Sequence, residues 1–204
     1  MSKKFYVRYM LSLRCKKVVR NELERLKIKY SILPYSAIEF PDGIDQKKIN
    51  SFKKRLRRSG LDLLDIYESM LVEKIISTIL EVVHEFEDLP NLTYSEIIVK
   101  NLSEANESVL KIFTEVVGMS VIQFIVTHKI DRIKEHLLYD DYTLAEISKR
   151  LNYKNEQYLV AQFKKYTGLT PSHFQKLKAE RAKNILQSVK ELNDRKIKIN
   201  RSFG

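Results

Sequence analysis

The sequence has one cysteine, five glycines and four prolines, and no hydrophobic run of membrane-spanning length. A lone cysteine, Cys15, cannot close an internal disulfide, so a reducing compartment fits the chain. No stretch of about 18 apolar residues is available to cross a bilayer, which argues against a membrane partner. The opening Met1-Ser2-Lys3-Lys4-Phe5 is basic but lacks the apolar run of roughly 7–15 residues that a signal peptide carries. The expectation is a cytoplasmic protein. Five glycines form no Gly-rich phosphate loop. The four histidines, His84, His128, His136 and His173, have no carboxylate or cysteine partner at metal or nucleophile spacing. No catalytic constellation is visible, so neither an enzyme nor a cofactor is expected.

What the chain does have is length and positive charge. Its 204 residues are 44% apolar, enough to bury a core, and 31% charged with a net of +11. Such an excess favours a polyanionic partner: nucleic acid, a membrane surface or an acidic protein.

The most informative pattern is self-similarity at an offset of 50 residues. Thr93, Glu96 and Ile97 match Thr143, Glu146 and Ile147. Phe113, Gly118 and Phe124 match Phe163, Gly168 and Phe174. Each unit opens on a capping box, Thr93-x-x-Glu96 or Thr143-x-x-Glu146, in which hydroxyl and carboxylate satisfy free helix amides. A short helix and a tight polar turn follow. A second helix then starts near Asn106 or Asn155, with its inner face set by Val109/Phe113 or Leu159/Phe163. It stops at Gly118 or Gly168, and a third helix begins at Ser120 or Thr170-Pro171. Two helices joined by a tight turn and backed by a third are a helix-turn-helix. A helical repeat that binds protein is the plainer alternative. Gly118, Gly168, Pro90 and Pro171 exclude a long coiled coil. Residues 120–138 predict a spacer helix about 28 Å long. That would suit two recognition helices in successive major grooves, about 34 Å apart. A further helix, Tyr67 to Phe86, carries a stripe of Met70, Leu71, Ile75, Ile79, Val82, Val83 and Phe86.

The run from Phe163 to Phe174, with Thr143 to Tyr153 before it, resembles the C-terminal signature of the AraC/XylS regulators, over about residues 70 to 178. The resemblance implies a seven-helix domain that binds promoter duplex as a monomer or a homodimer. Duplex DNA is the implied partner, with RNA polymerase a further candidate. Asn152 departs from the family's turn glycine, but asparagine also tolerates positive φ. By resemblance, the first recognition helix offers Asn106, Glu107, Leu110 and Lys111 to DNA, and the second Asn155, Gln157, Tyr158 and Ala161. Lys111 could donate to guanine and Gln157 could pair with adenine. Leu110 and Ala161 cannot hydrogen-bond, so side-chain readout looks thin and DNA shape should help. Lys164, Lys165, Lys176 and Lys178 suit phosphates, which position without specifying. Residues 67–118 carry three basic and ten acidic side chains. Residues 119–178 carry ten basic and six acidic ones, so the second unit should supply most affinity.

The first 66 residues follow another pattern. Alternating Phe5, Val7, Tyr9 and Leu11 predict a strand. Val18, Val19, Leu23 and Leu26 predict a helix. Lys29–Tyr35 and Ser36–Phe40 predict two strands, Ile49, Phe52 and Leu56 a second helix, and Leu61–Asp65 a last strand. The order is β-α-β-β-α-β, a ferredoxin-like unit. The expected class is therefore α+β: a ferredoxin-like domain over 1–66, an all-α DNA-binding domain over 67–180 and a basic tail over 181–204. Met10-Leu11-Ser12-Leu13-Arg14-Cys15 resembles the metal loop of heavy-metal-associated domains, with Ser12 in place of the first cysteine. Paired thiolates grip soft ions, and one does so weakly. Flanked by Arg14, Lys16 and Lys17, Cys15 also has the setting of a redox thiol. A metal-handling or thiol-redox protein acting through Cys15 is the alternative function, and an interaction scaffold is a second. Residues 1–66 hold 17 basic against seven acidic side chains. Lys47, Lys48, Lys53, Lys54, Arg55, Arg57 and Arg58 crowd one helix. That face could be merely solvated, could grip DNA phosphates, or could dock on the acidic 67–118 segment.

Overall fold

A computed structural model describes residues 2–84, 107–140 and 142–177, with a few positions between 180 and 187. The expected capping box at Thr93 and Glu96, the start at Asn106 and most of the basic tail lie outside the described residues. Two compact units divide within one helix, between His128 and Lys129.

The first unit begins with β1 (Lys3–Arg8), α1 (Leu13–Arg25), β2 (Ser31–Ile32), β3 (Ala37–Phe40), α2 (Gln46–Arg57) and β4 (Asp62–Leu63). The sheet order is β2-β3-β1-β4 and every pairing is antiparallel. This is the expected βαββαβ, ferredoxin-like arrangement. Phe5 faces Ile38 and Tyr6 faces Ala37 across β1 and β3.

β2 and β4 are shorter than their hydrophobic runs suggest, and in each case a turn or a cap takes the flanking residues. The Leu33 amide donates to the Ala37 carbonyl at 2.9 Å, while Tyr35 and Ser36 adopt positive φ, +56° and +62°. Asp65 caps the next helix reciprocally: its carboxylate accepts from the Glu68 amide at 2.8 Å, and Glu68 accepts from the Asp65 amide at 3.2 Å.

The sheet is buried on both faces. Phe5, Val7, Ile38 and Phe40 pack with Val19 and Leu23 of α1 and Phe52 and Leu56 of α2. On the other face, Tyr6 and Ala37 pack with Val72, Ile75 and Ile79 of α3 (Ile66–His84), Val109, Phe113 and Val116 of α4 (Glu107–Val117), and Phe124. Period-two alternation predicts one wet face. Here the second face, with Tyr6 only 2% exposed, is roofed by α3, α4 and Phe124, all of them later in the sequence than the sheet. Strand β1 stops at Arg8, so Tyr9 and Leu11 are exposed rather than inward. On α3, Met70 is exposed and Val72 and Ile76 take buried positions.

Phe124 opens α5 (Val121–Tyr139), which carries the chain out of the first unit. Ser120 and Gln123 cap it reciprocally, at 3.2 and 3.0 Å. Ile122, expected on its inner face, is exposed, whereas Ile125, Ile130, Ile133 and Leu137 are buried. The second unit continues with α6 (Leu144–Arg150), α7 (Glu156–Thr167) and α8 (residues 171–177). Its buried side chains include Ile130, Ile133, Leu137, Ile147, Leu151, Leu159 and Phe163. The rings of Phe163 and Phe174 meet edge to face with centroids 5.7 Å apart.

Candidate nucleic-acid interface

In the second unit, local rules place α7. Thr143 caps α6: its hydroxyl accepts from the Glu146 amide at 3.3 Å, and Glu146 accepts from the Thr143 amide at 2.7 Å. The Thr143 amide, and its hydroxyl at 2.8 Å, both donate to the Glu146 carboxylate and hold that carboxyl below its ordinary range. After Leu151 the chain must reverse, and Asn152 does so at φ +50°, in the position where glycine was expected. The Tyr153 amide then reaches back to the Ser148 carbonyl at 2.9 Å, closing the turn. Asn155 caps α7 by accepting from the Tyr158 amide at 2.9 Å. Gly168, at φ +78°, ends the helix.

With this start and end, α7 buries Leu159 and Phe163, and the opposite side is wet. Gln157, Tyr158 and Ala161 lie exposed along its first turns, with Lys164 and Lys165 exposed beyond them. Tyr158 is 61% exposed. Lys176 is exposed on α8. Lys164, Lys165 and Lys176 have no acidic side chain within 4.0 Å among the described residues. The helix-turn-helix is braced from behind. The buried Lys129 amine lies 4.1 Å from the Tyr153 ring, and the Arg150 guanidinium lies 4.2 Å from the Tyr142 ring. Burial pushes the Lys129 amine down to about 8. The Tyr153 phenol, pushed up by burial, donates to Gln162.

In the first unit, α4 repeats part of the pattern. Val109 and Phe113 are buried, Glu107, Leu110 and Lys111 are exposed, and Gly118 ends the helix at φ +81°. Its last turn is tied to the N-terminal strand. The Tyr9 amide donates to the Glu115 carbonyl at 2.9 Å. Arg8 pairs with Glu68 at 2.6 Å and with Glu115 at 3.6 Å. Leu11 packs over Gly118. Nothing in the sequence repeat points to these three residues, because it ignores the first 66 positions.

Cys15 lies half-buried in the first turn of α1. The Ser12 side chain, where the metal loop's first cysteine would stand, caps that helix by accepting from the Cys15 amide at 3.2 Å. The Ser12 hydroxyl also donates to Cys15 Sγ at 3.2 Å. Among the described residues no three His, Cys, Asp or Glu side chains come together to hold a metal. No single described helix is long and apolar enough to cross a membrane.

Residues 103–177 match the helix-turn-helix domain family. Over those residues the chain is similar to helix-turn-helix domains. An uncharacterised HTH-type transcriptional regulator of Bacillus subtilis (strain 168), YtdP, is 30% identical over 95 residues, 47% of this chain. The chain spans only 12% of that relative's length. Among solved structures, the C-terminal domain of AraT, a response regulator from Geobacillus stearothermophilus, is 20% identical with a TM-score of 0.46. It covers 52% of this chain and 84% of that one. The DNA-binding domain of AdpA, solved with a target DNA, is 15% identical with a TM-score of 0.46 and covers 54% and 94%.

Proposed function

We propose that the protein is a sequence-specific, duplex-DNA-binding transcription regulator of the AraC type. The observation that carries this reading is α7: a helix capped at Asn155, pinned by Leu159 and Phe163, and presenting Gln157, Tyr158, Ala161, Lys164 and Lys165 outward. In a major groove, Gln157 pairs with adenine, Ala161 touches a thymine methyl, and the lysines take phosphates. In this reading α4 enters the neighbouring groove through Glu107 and Lys111 and adds less affinity. Its exposed face has an acid among its contacts, and its last turn is held by β1. RNA polymerase and a second copy of the chain are the protein partners expected at a promoter, in the cytoplasm.

Fluorescence anisotropy tests this. The full chain is titrated against its own upstream duplex and a shuffled duplex over a salt series. Tighter binding to the upstream duplex, lost in Gln157→Ala with folding retained, is the expected result. Equal affinity for both duplexes at every salt concentration would overturn the reading.

A further inference from the structure

Helix α2 is the most strongly charged element described. From Gln46 to its C-cap Arg58 it carries seven cations and no acid. Ile49, Phe52 and Leu56 fix its inner side in the core, at 8%, 0% and 0% exposure. At 3.6 residues per turn, positions 47, 54 and 58 fall on one line diametrically opposite that buried side. Lys47, Lys54 and Arg58 therefore form an outward crest, and all three are exposed.

Among the described residues, neither of two intramolecular explanations accounts for the crest. The first is neutralisation by acids of the same domain. The ion pairs of α2 run down its flanks, Arg55 to Glu22 and Arg57 to Asp62. The crest has no acidic side chain within 4.0 Å among the described residues. The second is docking on the acidic 67–118 segment. Of the acids described there, Glu73, Glu68 and Glu115 are taken by Lys4 and Arg8 of β1. Those contacts lie on the sheet face that α3 and α4 cover, whereas α2 covers the other.

The sequence of α2 also works against its own stability. Its first turn holds Lys47 and Lys48 with no acid, beside the positive end of the helix dipole, and Asp45 makes no side-chain cap bond. A local rule broken without a local gain points to a selected surface.

We propose that the crest Lys47–Lys54–Arg58 is a second DNA-contacting surface that binds duplex phosphates. The proposal rests on the DNA-binding reading above. The crest spans about 16 Å at 1.5 Å per residue, a length over which one DNA strand presents about five phosphates. An anionic bilayer fits less well, because the crest offers no apolar side chain to insert. The contact adds affinity without adding sequence preference.

The test compares salt dependence of duplex binding by the full chain for three proteins. These are the wild type, the triple variant Lys47→Gln/Lys54→Gln/Arg58→Gln, and a control that removes equal charge elsewhere, Lys3→Gln/Lys27→Gln/Lys74→Gln. At about 0.9 per phosphate, the crest variant should lose up to about 2.7 from its log–log salt slope. Its affinity then falls about 40-fold less than wild type between 50 and 200 mM salt. The loss should be equal on upstream and shuffled duplexes, and the melting temperature should be unchanged or higher. An unchanged slope overturns the proposal, as does an equal loss in the control. So does a crest variant that keeps its DNA slope but no longer binds phosphatidylserine–phosphatidylcholine vesicles. If the wild type does not discriminate between duplexes yet the crest variant still loses slope, the regulator reading fails and the crest assignment stands.

Discussion

The backbone amide of Tyr9 donates to the carbonyl of Glu115 at 2.9 Å, joining the exit of β1 to the last turn of α4. A bond between the start of the chain and its middle makes the first strand a brace for a helix of the helix-turn-helix domain. Arg8 reinforces it through Glu68 and Glu115, with its own side chain 23% exposed.

Removing Arg8 therefore leaves two carboxylates without a counter-charge. Arg8→Ala should cost about 2 kcal/mol, read as a lower urea midpoint. Adding Glu115→Ala in the same chain should cost less than the sum of the two single changes. Strict additivity would show that the pair contributes nothing.

The two helix-ending glycines should respond unequally to a methyl group. Both hold φ near +80°, so Gly118→Ala and Gly168→Ala each cost about 1 kcal/mol from backbone strain alone. At Gly168 the new Cβ meets nothing within 4 Å, whereas at Gly118 it would approach Leu11 Cδ2 to 2.8 Å. Gly118→Ala should be the costlier by a few tenths of a kcal/mol, and Leu11→Ala should cancel that difference. Equal melting temperatures for the two glycine variants would refute the contact.

Of the two recognition helices, α7 should supply more of the phosphate affinity than α4. Lys164→Ala with Lys165→Ala should reduce the salt slope by about 1.8 and weaken upstream and shuffled duplexes alike. Lys111→Ala should change affinity less than that pair does. The reverse ranking, measured by anisotropy at one salt concentration, would move the main contact to α4.

Lys129 predicts a rise of stability with pH. Burial lowers its folded pKa to about 8, below the unfolded value near 10.4, so between these values the unfolded chain binds the extra proton. Stability should climb from about pH 8 toward pH 10. It should then fall as unfolded tyrosines ionise, because the buried Tyr6 and Tyr153 phenols are pushed up in the fold. Lys129→Met should flatten the climb and add on the order of 1–3 kcal/mol at pH 7. A wild-type urea midpoint that is constant from pH 8 to 10 would contradict this.

What the sequence revealed is what local rules decide. The Thr143–Glu146 box, the Asn155 cap, the left-handed Gly168 and the buried pair Leu159/Phe163 all stand where the repeat put them, and Asn152 is left-handed where the family resemblance placed the turn. The exposed face of α7 follows directly from those constraints. The order of elements in the first 63 residues was equally legible, because each strand and helix carries its own period. The partner of the second sheet face was not. Tyr6 and Ala37 look like residues for a half-solvated surface, and only tertiary packing by Val72, Ile75 and Phe113 buries them. The capping pair Asp65 and Glu68 was in plain view as Asp-x-x-Glu, and the hydrophobic run ending at Leu64 obscured it.

The sheet that is covered on both faces also sets an order of events during synthesis. Its α1–α2 side can close once about sixty residues have emerged from the ribosome, but its other side must wait for Val109, Phe113 and Phe124. Until then only α3 is available to cover Tyr6 and Ala37, and the face is half built. The first half of this protein is therefore completed late, by long-range contacts of the kind that fold slowly and expose apolar surface meanwhile.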